Sequence, residues 1–129
     1  MSTIFRKIID GDVPCHKLFE DDNYLSFLDM RPINPGHALV IPKIDNDYIF
    51  NLDDDVLAGL LVAAKPVAKA IEQVVTCERI GLMVAGLEVP HTHVHLVPIN
   101  GIGDLNFAKA NDATQEELAA LAEQIRNAV

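Results

Sequence analysis

The chain has 129 residues, 50% hydrophobic and 22% charged, which suits a single domain spanning residues 1–129. Its formal net charge of -9 argues against nonspecific binding to nucleic acid or anionic membranes, because such binding depends on basic patches. No apolar run is long enough to span a bilayer and the first residues lack a signal-peptide layout, so we expect a cytoplasmic protein.

The N-terminal half of the sequence predicts a short helix followed by three strands. Residues 4–9 form the predicted helical turn, and residues 11–14 form a turn rich in Gly and Pro. Residues 15–20 and 24–29 flank an acidic connection and predict a β-hairpin. After a loop with two prolines, residues 37–42 are dense in aliphatic side chains and predict a third strand.

A long amphipathic helix is predicted from Asp53 or Asp54 to about Val75. Its apolar positions follow the 3.6-residue period on both sides of Pro66, so we expect a kink there rather than an end. The helix is apolar over more than one stripe, which is more than a single contact with a sheet needs. We therefore expect part of it to meet a partner helix in a homodimer.

The remaining sequence predicts two strands and a second helix. Residues 79–86 and 91–99 are the predicted strands. Thr114 and Glu117 match a capping box ahead of an apolar helical stripe. This order of elements predicts an α+β fold with a largely antiparallel sheet.

Three histidines, His91, His93 and His95, alternate with uncharged residues in a chain that has only 5 histidines. A strand places residues i, i+2 and i+4 on one face, so the segment would present three imidazoles together. Neighbouring imidazoles are costly to protonate together, and an anionic or metal partner would make such a group useful. The alternation therefore indicates a functional site.

The chain resembles the histidine triad (HIT) family from about Thr3 to Pro98. The matching segments are residues 4–9 (IFRKII), 27–29 (FLD), 36–43 (GHALVIPK) and 86–90 (GLEVP), followed by the three histidines. The resemblance implies a five-stranded antiparallel sheet with one long helix and a C-terminal helix, continued as a ten-stranded sheet across a dimer. It also implies hydrolysis or transfer of purine nucleotides.

The resemblance assigns roles to four histidines. His93 matches the nucleophile that attacks the α-phosphorus and forms a nucleotidyl-histidine. His91 and His95 match neighbours that hold phosphate oxygens and position the ring and the leaving group. His37 matches a supporting histidine behind them, although a purely structural role is the alternative. A neutral imidazole is a good nucleophile, and its ordinary pKa of about 6.5 keeps it largely unprotonated at pH 7.

The resemblance also implies a nucleoside site. Asp29 matches a carboxylate that binds both ribose hydroxyls, with a role as a turn residue as the alternative. The residues that match the apolar slot for the purine ring are Ile4, Phe5, Ile8 and Phe27. For Phe5 and Phe27, plain core packing is the alternative. Two positions depart from the usual family pattern, because Leu87 replaces a Gln and Glu88, a candidate substrate-binding residue, replaces Ser or Thr. These changes affect the leaving-group side more than the nucleophile.

These features leave several functions open. The leading hypothesis is hydrolysis of nucleoside phosphoramidates or nucleoside monophosphate esters through His93, and the alternative within the same chemistry is cleavage of dinucleoside polyphosphates. A metal-dependent protein is a further class, since alternating histidines can chelate zinc. A nucleotide-binding module with little turnover is another, made plausible by Leu87. Some family members hold a structural zinc through N-terminal cysteines, but Ser2 and Arg6 occupy that stretch, so we expect no metal and no cofactor.

Overall fold

A computed structural model describes residues 3–129, and its centre is a five-stranded antiparallel sheet with the order β1-β2-β3-β5-β4. The predicted α+β architecture is confirmed, and Ser2 lies outside the described residues. The strands and α-helices are α1 (Ile4–Ile9), β1 (Lys17–Glu20), β2 (Tyr24–Leu28), β3 (Ala38–Pro42), α2 (Asp54–Val74), β4 (Arg79–Met83), β5 (Val94–Ile99) and α3 (Gln115–Ala128).

The central strands are covered on both faces. Their successive side chains point to opposite faces of the sheet, so each strand contributes to two separate cores. On one face, Val40 and Leu96 pack with α2 and α3 in the main hydrophobic core. On the other face, Leu39 and Ile41 pack with Phe5 of α1 in a smaller core. The sheet thus separates a stabilising helical layer from the face that carries the short N-terminal helix.

Helix α2 runs through Pro66 without ending, in agreement with the continuous apolar period. It begins with Asp53 as its N-cap residue, although the Asp53 side chain makes no capping hydrogen bond. Helix α3 has the predicted capping box, in which Thr114 Oγ1 accepts from the Glu117 N–H and the Glu117 carboxylate accepts from the Thr114 N–H. Among residues 3–129, no helix has the length and apolarity that a membrane crossing needs.

The predicted bounds of the last two strands were wrong. Strand β5 begins at Val94 rather than at residue 91, because the N–H of His91 bonds to the Val89 carbonyl and that of Thr92 to the Asn46 carbonyl. Strand β4 ends at Met83, and the chain turns away through Gly86, whose φ of 74° lies in the left-handed region. Only His95 of the three alternating histidines therefore lies within a strand.

Candidate active site

A cavity of about 520 Å³, here called the α1 cavity, lies on the sheet face that carries α1. Its walls are mainly apolar. Eleven of the lining residues define it: Ile4, Phe5, Ile8, His16, Phe27, Asp29, Leu39, Glu88, His93, His95 and Gln115. It therefore brings together most of the residues that the sequence singled out.

His93 presents one ring nitrogen as a potential nucleophile. Its Nδ1 lies 2.7 Å from the carbonyl oxygen of His91, and a carbonyl can only accept, so Nδ1 carries the proton and donates it. The lone pair of the neutral ring is then on Nε2. Ring contacts to Phe5 and His95, with centroid distances of 5.1 and 5.0 Å, hold the imidazole in place. The side chain is buried and lines the α1 cavity.

A hydrogen-bonded chain fixes the protonation pattern of His37 and His95. The backbone N–H of Ile33 donates to His37 Nδ1 at 3.0 Å, so the proton of the neutral His37 ring is on Nε2. His37 Nε2 lies 2.9 Å from His95 Nδ1 and donates to it. The remaining proton of neutral His95 is consequently on Nε2. His95 thus offers an N–H donor, as a group that binds phosphate oxygens should.

Burial keeps this pair neutral. His37 and His95 are almost inaccessible to solvent, and desolvation disfavours the charged form of an imidazole. Burial lowers the pKa of His37 below its usual value. Burial, with the neighbouring charges of His37 and His93, lowers the pKa of His95 to about 3. Both rings are therefore uncharged at neutral pH.

His91 is placed differently from the other two histidines of the alternating run. Its Nε2 donates to the Pro42 carbonyl at 2.8 Å, and its ring packs edge-on against Phe5 rather than lining the α1 cavity. Burial lowers the pKa of His91 despite this hydrogen bond. The geometry makes His91 a support, since its carbonyl holds His93. A phosphate contact by the His91 ring stays a prediction.

The predicted nucleoside residues have both structural and cavity-lining positions. Asp29 Oδ1 accepts from the N–H of Arg31 at 2.9 Å, as a turn residue would, while the side chain also lines the α1 cavity. Phe5 and Phe27 form an edge-to-face pair with centroids 5.7 Å apart, within the smaller core and also in the cavity wall. Each of these residues therefore makes a structural contact and also lines the cavity, and a role in binding a nucleoside stays a prediction.

Three residues near the site were not singled out by the sequence. His16 Nε2 lies 2.7 Å from Gln115 Oε1, and both line the α1 cavity. The ring of Phe107 packs against that of His95, with centroids 4.9 Å apart. These contacts join residues far apart in the chain, and no local motif marks any of the three.

The N-terminal helix is fastened by an arginine. Arg6 donates to Asp45 Oδ1 at 2.8 Å and to Asp10 Oδ1 at 3.1 Å, and also binds the Lys43 carbonyl. Asp45 Oδ1 in turn lies 3.9 Å from His91 Nδ1. The position that we compared with family zinc ligands thus holds a cation that ties α1 to the chain after β3.

One group of side chains could hold a metal ion. Among the described residues, Asp29, His37 and His95 offer ligand atoms that lie within 4.8 Å of one another. Two of these atoms, His37 Nε2 and His95 Nδ1, already share a hydrogen bond. A metal would have to break that bond and compete with its proton.

Comparison with known proteins gives the chain its family. The HIT domain profile matches residues 10–101. The adenosine 5'-monophosphoramidase of Schizosaccharomyces pombe is 37% identical over 137 aligned residues, covering 100% of this chain and 99% of that protein. A Hit-like protein involved in cell-cycle regulation from Bartonella henselae has a structure with a TM-score of 0.87 and 29% identity, covering 99% of this chain and 96% of that one. With its four buried histidines and five-stranded antiparallel sheet, this chain belongs to the histidine triad (HIT) family.

Proposed function

We propose that this protein hydrolyses purine nucleoside phosphoramidates, or related nucleoside monophosphate esters, through a nucleotidyl intermediate on His93. The observation that carries the proposal is the hydrogen bond from His93 Nδ1 to the His91 carbonyl, which leaves the Nε2 lone pair for attack. Family membership supports nucleotide hydrolysis in general. The finer substrate class is supported by fungal relatives named adenosine 5'-monophosphoramidases, at 36–38% identity.

The proposed reaction has two displacements at phosphorus. In the first, His93 Nε2 forms a bond to the α-phosphorus, and the bond to the leaving nitrogen breaks. That nitrogen keeps the bonding pair and takes a proton from solvent. In the second, a water oxygen bonds to phosphorus, releases a proton to solvent, and the pair of the His93–phosphorus bond returns to Nε2. The products are the amine and the nucleoside monophosphate.

The surrounding groups suit the charge that develops in these steps. Each displacement builds negative charge on the nonbridging oxygens, and a preorganised N–H donor stabilises it. His95 Nε2–H is such a donor, and burial keeps its hydrogen-bond partner His37 fixed. The aromatic walls of Phe5 and Phe27 suit a purine ring, and the Asp29 carboxylate suits a vicinal diol.

Competing substrates test the proposal directly. Purified protein is incubated with an adenosine 5'-phosphoramidate and, separately, with diadenosine polyphosphates, and kcat/KM is measured for each. We expect the phosphoramidate to be the better substrate. Comparable or greater efficiency on the polyphosphates would establish the alternative instead, and binding without product in single-turnover experiments would indicate a binding module.

Chelation tests the metal-dependent alternative that the Asp29, His37 and His95 group makes specific. The proposed chemistry uses no metal, so activity should survive dialysis against a chelator. His93→Ala serves as the inactive reference. Loss of activity on chelation, restored by zinc, would contradict the proposed covalent route.

A further inference from the structure

The wall of the α1 cavity contains two hydrogen-bonded side chains that the proposed reaction does not use, here called the polar pair. They are His16 and Gln115, and His16 Nε2 lies 2.7 Å from Gln115 Oε1. An amide oxygen can only accept, so Nε2 of His16 carries the proton and donates it. In the neutral ring the lone pair is then on Nδ1.

The polar pair offers one acceptor and one donor to a ligand. The acceptor is His16 Nδ1. The donor is the amide nitrogen of Gln115, because within residues 3–129 only the oxygen of this amide takes part in a hydrogen bond. Gln115 is exposed, His16 is half-buried and both line the α1 cavity, so a molecule in the cavity can meet both groups.

Backbone contacts place the polar pair beside the end of β2. The His16 carbonyl accepts from the N–H of Leu28 at 3.0 Å. The N–H of Ala113, two residues before Gln115, donates to the Met30 carbonyl at 3.5 Å. Leu28 and Met30 both line the α1 cavity, on either side of the proposed ribose-binding carboxylate. The polar pair therefore lies next to the segment that carries the proposed sugar contact.

The other polar groups of the α1 cavity leave the base edge without a donor and acceptor set. In the proposed reaction, His93 and His95 serve the phosphorus and its oxygens, and Asp29 serves the ribose. Glu88 also lines the cavity, but an ionised carboxylate only accepts. A purine has apolar faces that suit aromatic walls, whereas its edge carries a donor and an acceptor side by side at C6 and N1.

We propose that the polar pair binds the C6–N1 edge of the purine base, which makes the C-terminal helix part of the nucleotide site. The proposal rests on the proposed function, which puts a purine nucleoside in the α1 cavity. With adenine, the 6-amino group donates to His16 Nδ1 and N1 accepts from the Gln115 amide. A site built to hydrogen-bond a substrate group disfavours an analogue without that group, because a polar group of the site then loses its partner.

The first test measures binding, so that its outcome does not depend on turnover. Calorimetry gives the Kd of adenosine 5'-monophosphate and of purine riboside 5'-monophosphate, which lacks the 6-amino group. His16→Ala and Gln115→Ala remove the polar pair one member at a time. Gln124→Ala is the matched control, because Gln124 is an exposed glutamine on the same helix that does not line the α1 cavity.

The measured quantity is the preference for adenosine 5'-monophosphate over the analogue. We expect it to be about tenfold in wild type and in Gln124→Ala, on the scale of one hydrogen bond. In His16→Ala it should fall to about twofold or less, because the acceptor for the amino group is gone. Gln115→Ala should lower it as well, because the amide fixes the His16 proton on Nε2. A preference that persists in both variants, or that wild type lacks, would overturn the proposal.

A second comparison separates the base from the sugar. The ratio of Kd between adenosine 5'-monophosphate and its 2'-deoxy analogue should stay unchanged in His16→Ala and Gln115→Ala. A changed sugar ratio with an unchanged base preference would place the polar pair at the ribose and contradict the proposal. Turnover of an adenosine 5'-phosphoramidate by wild type is measured alongside. Its absence, with the base preference lost only in the two pair variants, would overturn the proposed hydrolysis and support the base contact.

Discussion

Acidification from pH 7 to pH 5 should destabilise this protein, because His95 is neutral in the folded chain and titrates normally in the unfolded chain. Burial and its histidine neighbours lower the pKa of His95 from 6.5 to about 3. Its contribution to stability is therefore complete above pH 6.5 and is lost as the pH falls toward 3. At pH 5 the unfolded chain binds a proton that the folded chain does not, which costs about 2 kcal/mol relative to pH 7.

Chemical denaturation at the two pH values measures this effect. The variant His95→Gln keeps a hydrogen-bond acceptor for His37 but cannot be protonated, so the fall in the free energy of unfolding between pH 7 and pH 5 should shrink by about 2 kcal/mol. Burial also lowers the pKa of His37 and of His91, so part of the wild-type dependence should remain in the variant. An identical pH dependence in wild type and His95→Gln would show that protonation of His95 does not contribute to the loss of stability.

Three further predictions concern the sugar, the N-terminal helix and assembly. Asp29→Asn should weaken ribonucleotide binding by about 1–3 kcal/mol in calorimetry and weaken a 2'-deoxy analogue less; equal losses would indicate that Asp29 is only a turn residue. Arg6→Ala should lower the free energy of unfolding by about 1 kcal/mol in chemical denaturation, because it removes the partly exposed bond between Arg6 and Asp45 in the chain after β3. Lys7→Ala on the same helix is the control and should not lower it. Equal losses in the two variants would contradict this role of Arg6. We also propose a homodimer, because β4 is an edge strand and α2 exposes Leu61 and Val62. Sedimentation at micromolar concentration should give about twice the chain mass of 14.1 kDa. A clean monomer would contradict the proposal.

The sequence predicted the elements whose signals are local. Helix α1 has the predicted bounds. Helix α3 begins at Gln115, directly after Thr114, the N-cap residue of the predicted capping box. Helix α2 ends at Val74, one residue before the predicted end at about Val75. The prediction was this close because the apolar period marks the buried face along the whole helix. The order of the predicted strands and helices likewise predicted the largely antiparallel sheet.

The errors arose where backbone hydrogen bonds to loop carbonyls override a local pattern. The alternation of His91, His93 and His95 suggested one strand face, but the N–H groups of His91 and Thr92 bond to loop carbonyls instead of to β3. His91 therefore turns away from the α1 cavity, while His93 and His95 remain in it. No spacing in the sequence could have specified this difference.

The supporting contacts of the site were also hidden from local patterns. His37 meets His95 across 58 positions of sequence, and His16 meets Gln115 across 99. Such contacts follow from the strand order and from the packing of α3 beside the sheet. A second cavity beside His93, lined by residues of the loops after β3 and β4, likewise depends on segments that have no periodicity. The family resemblance assigned roles to residues, whereas the three-dimensional contacts provide their physical basis.

We propose that His93 becomes covalently attached to the nucleotide during turnover. Wild-type protein quenched within one turnover of an adenosine 5'-phosphoramidate is digested and analysed by mass spectrometry for the modified residue. We expect one adenylyl group on His93, formed and lost at rates that match turnover, with neither adduct nor turnover in His93→Ala. Turnover without any adduct, or near-normal activity of His93→Ala, would contradict it.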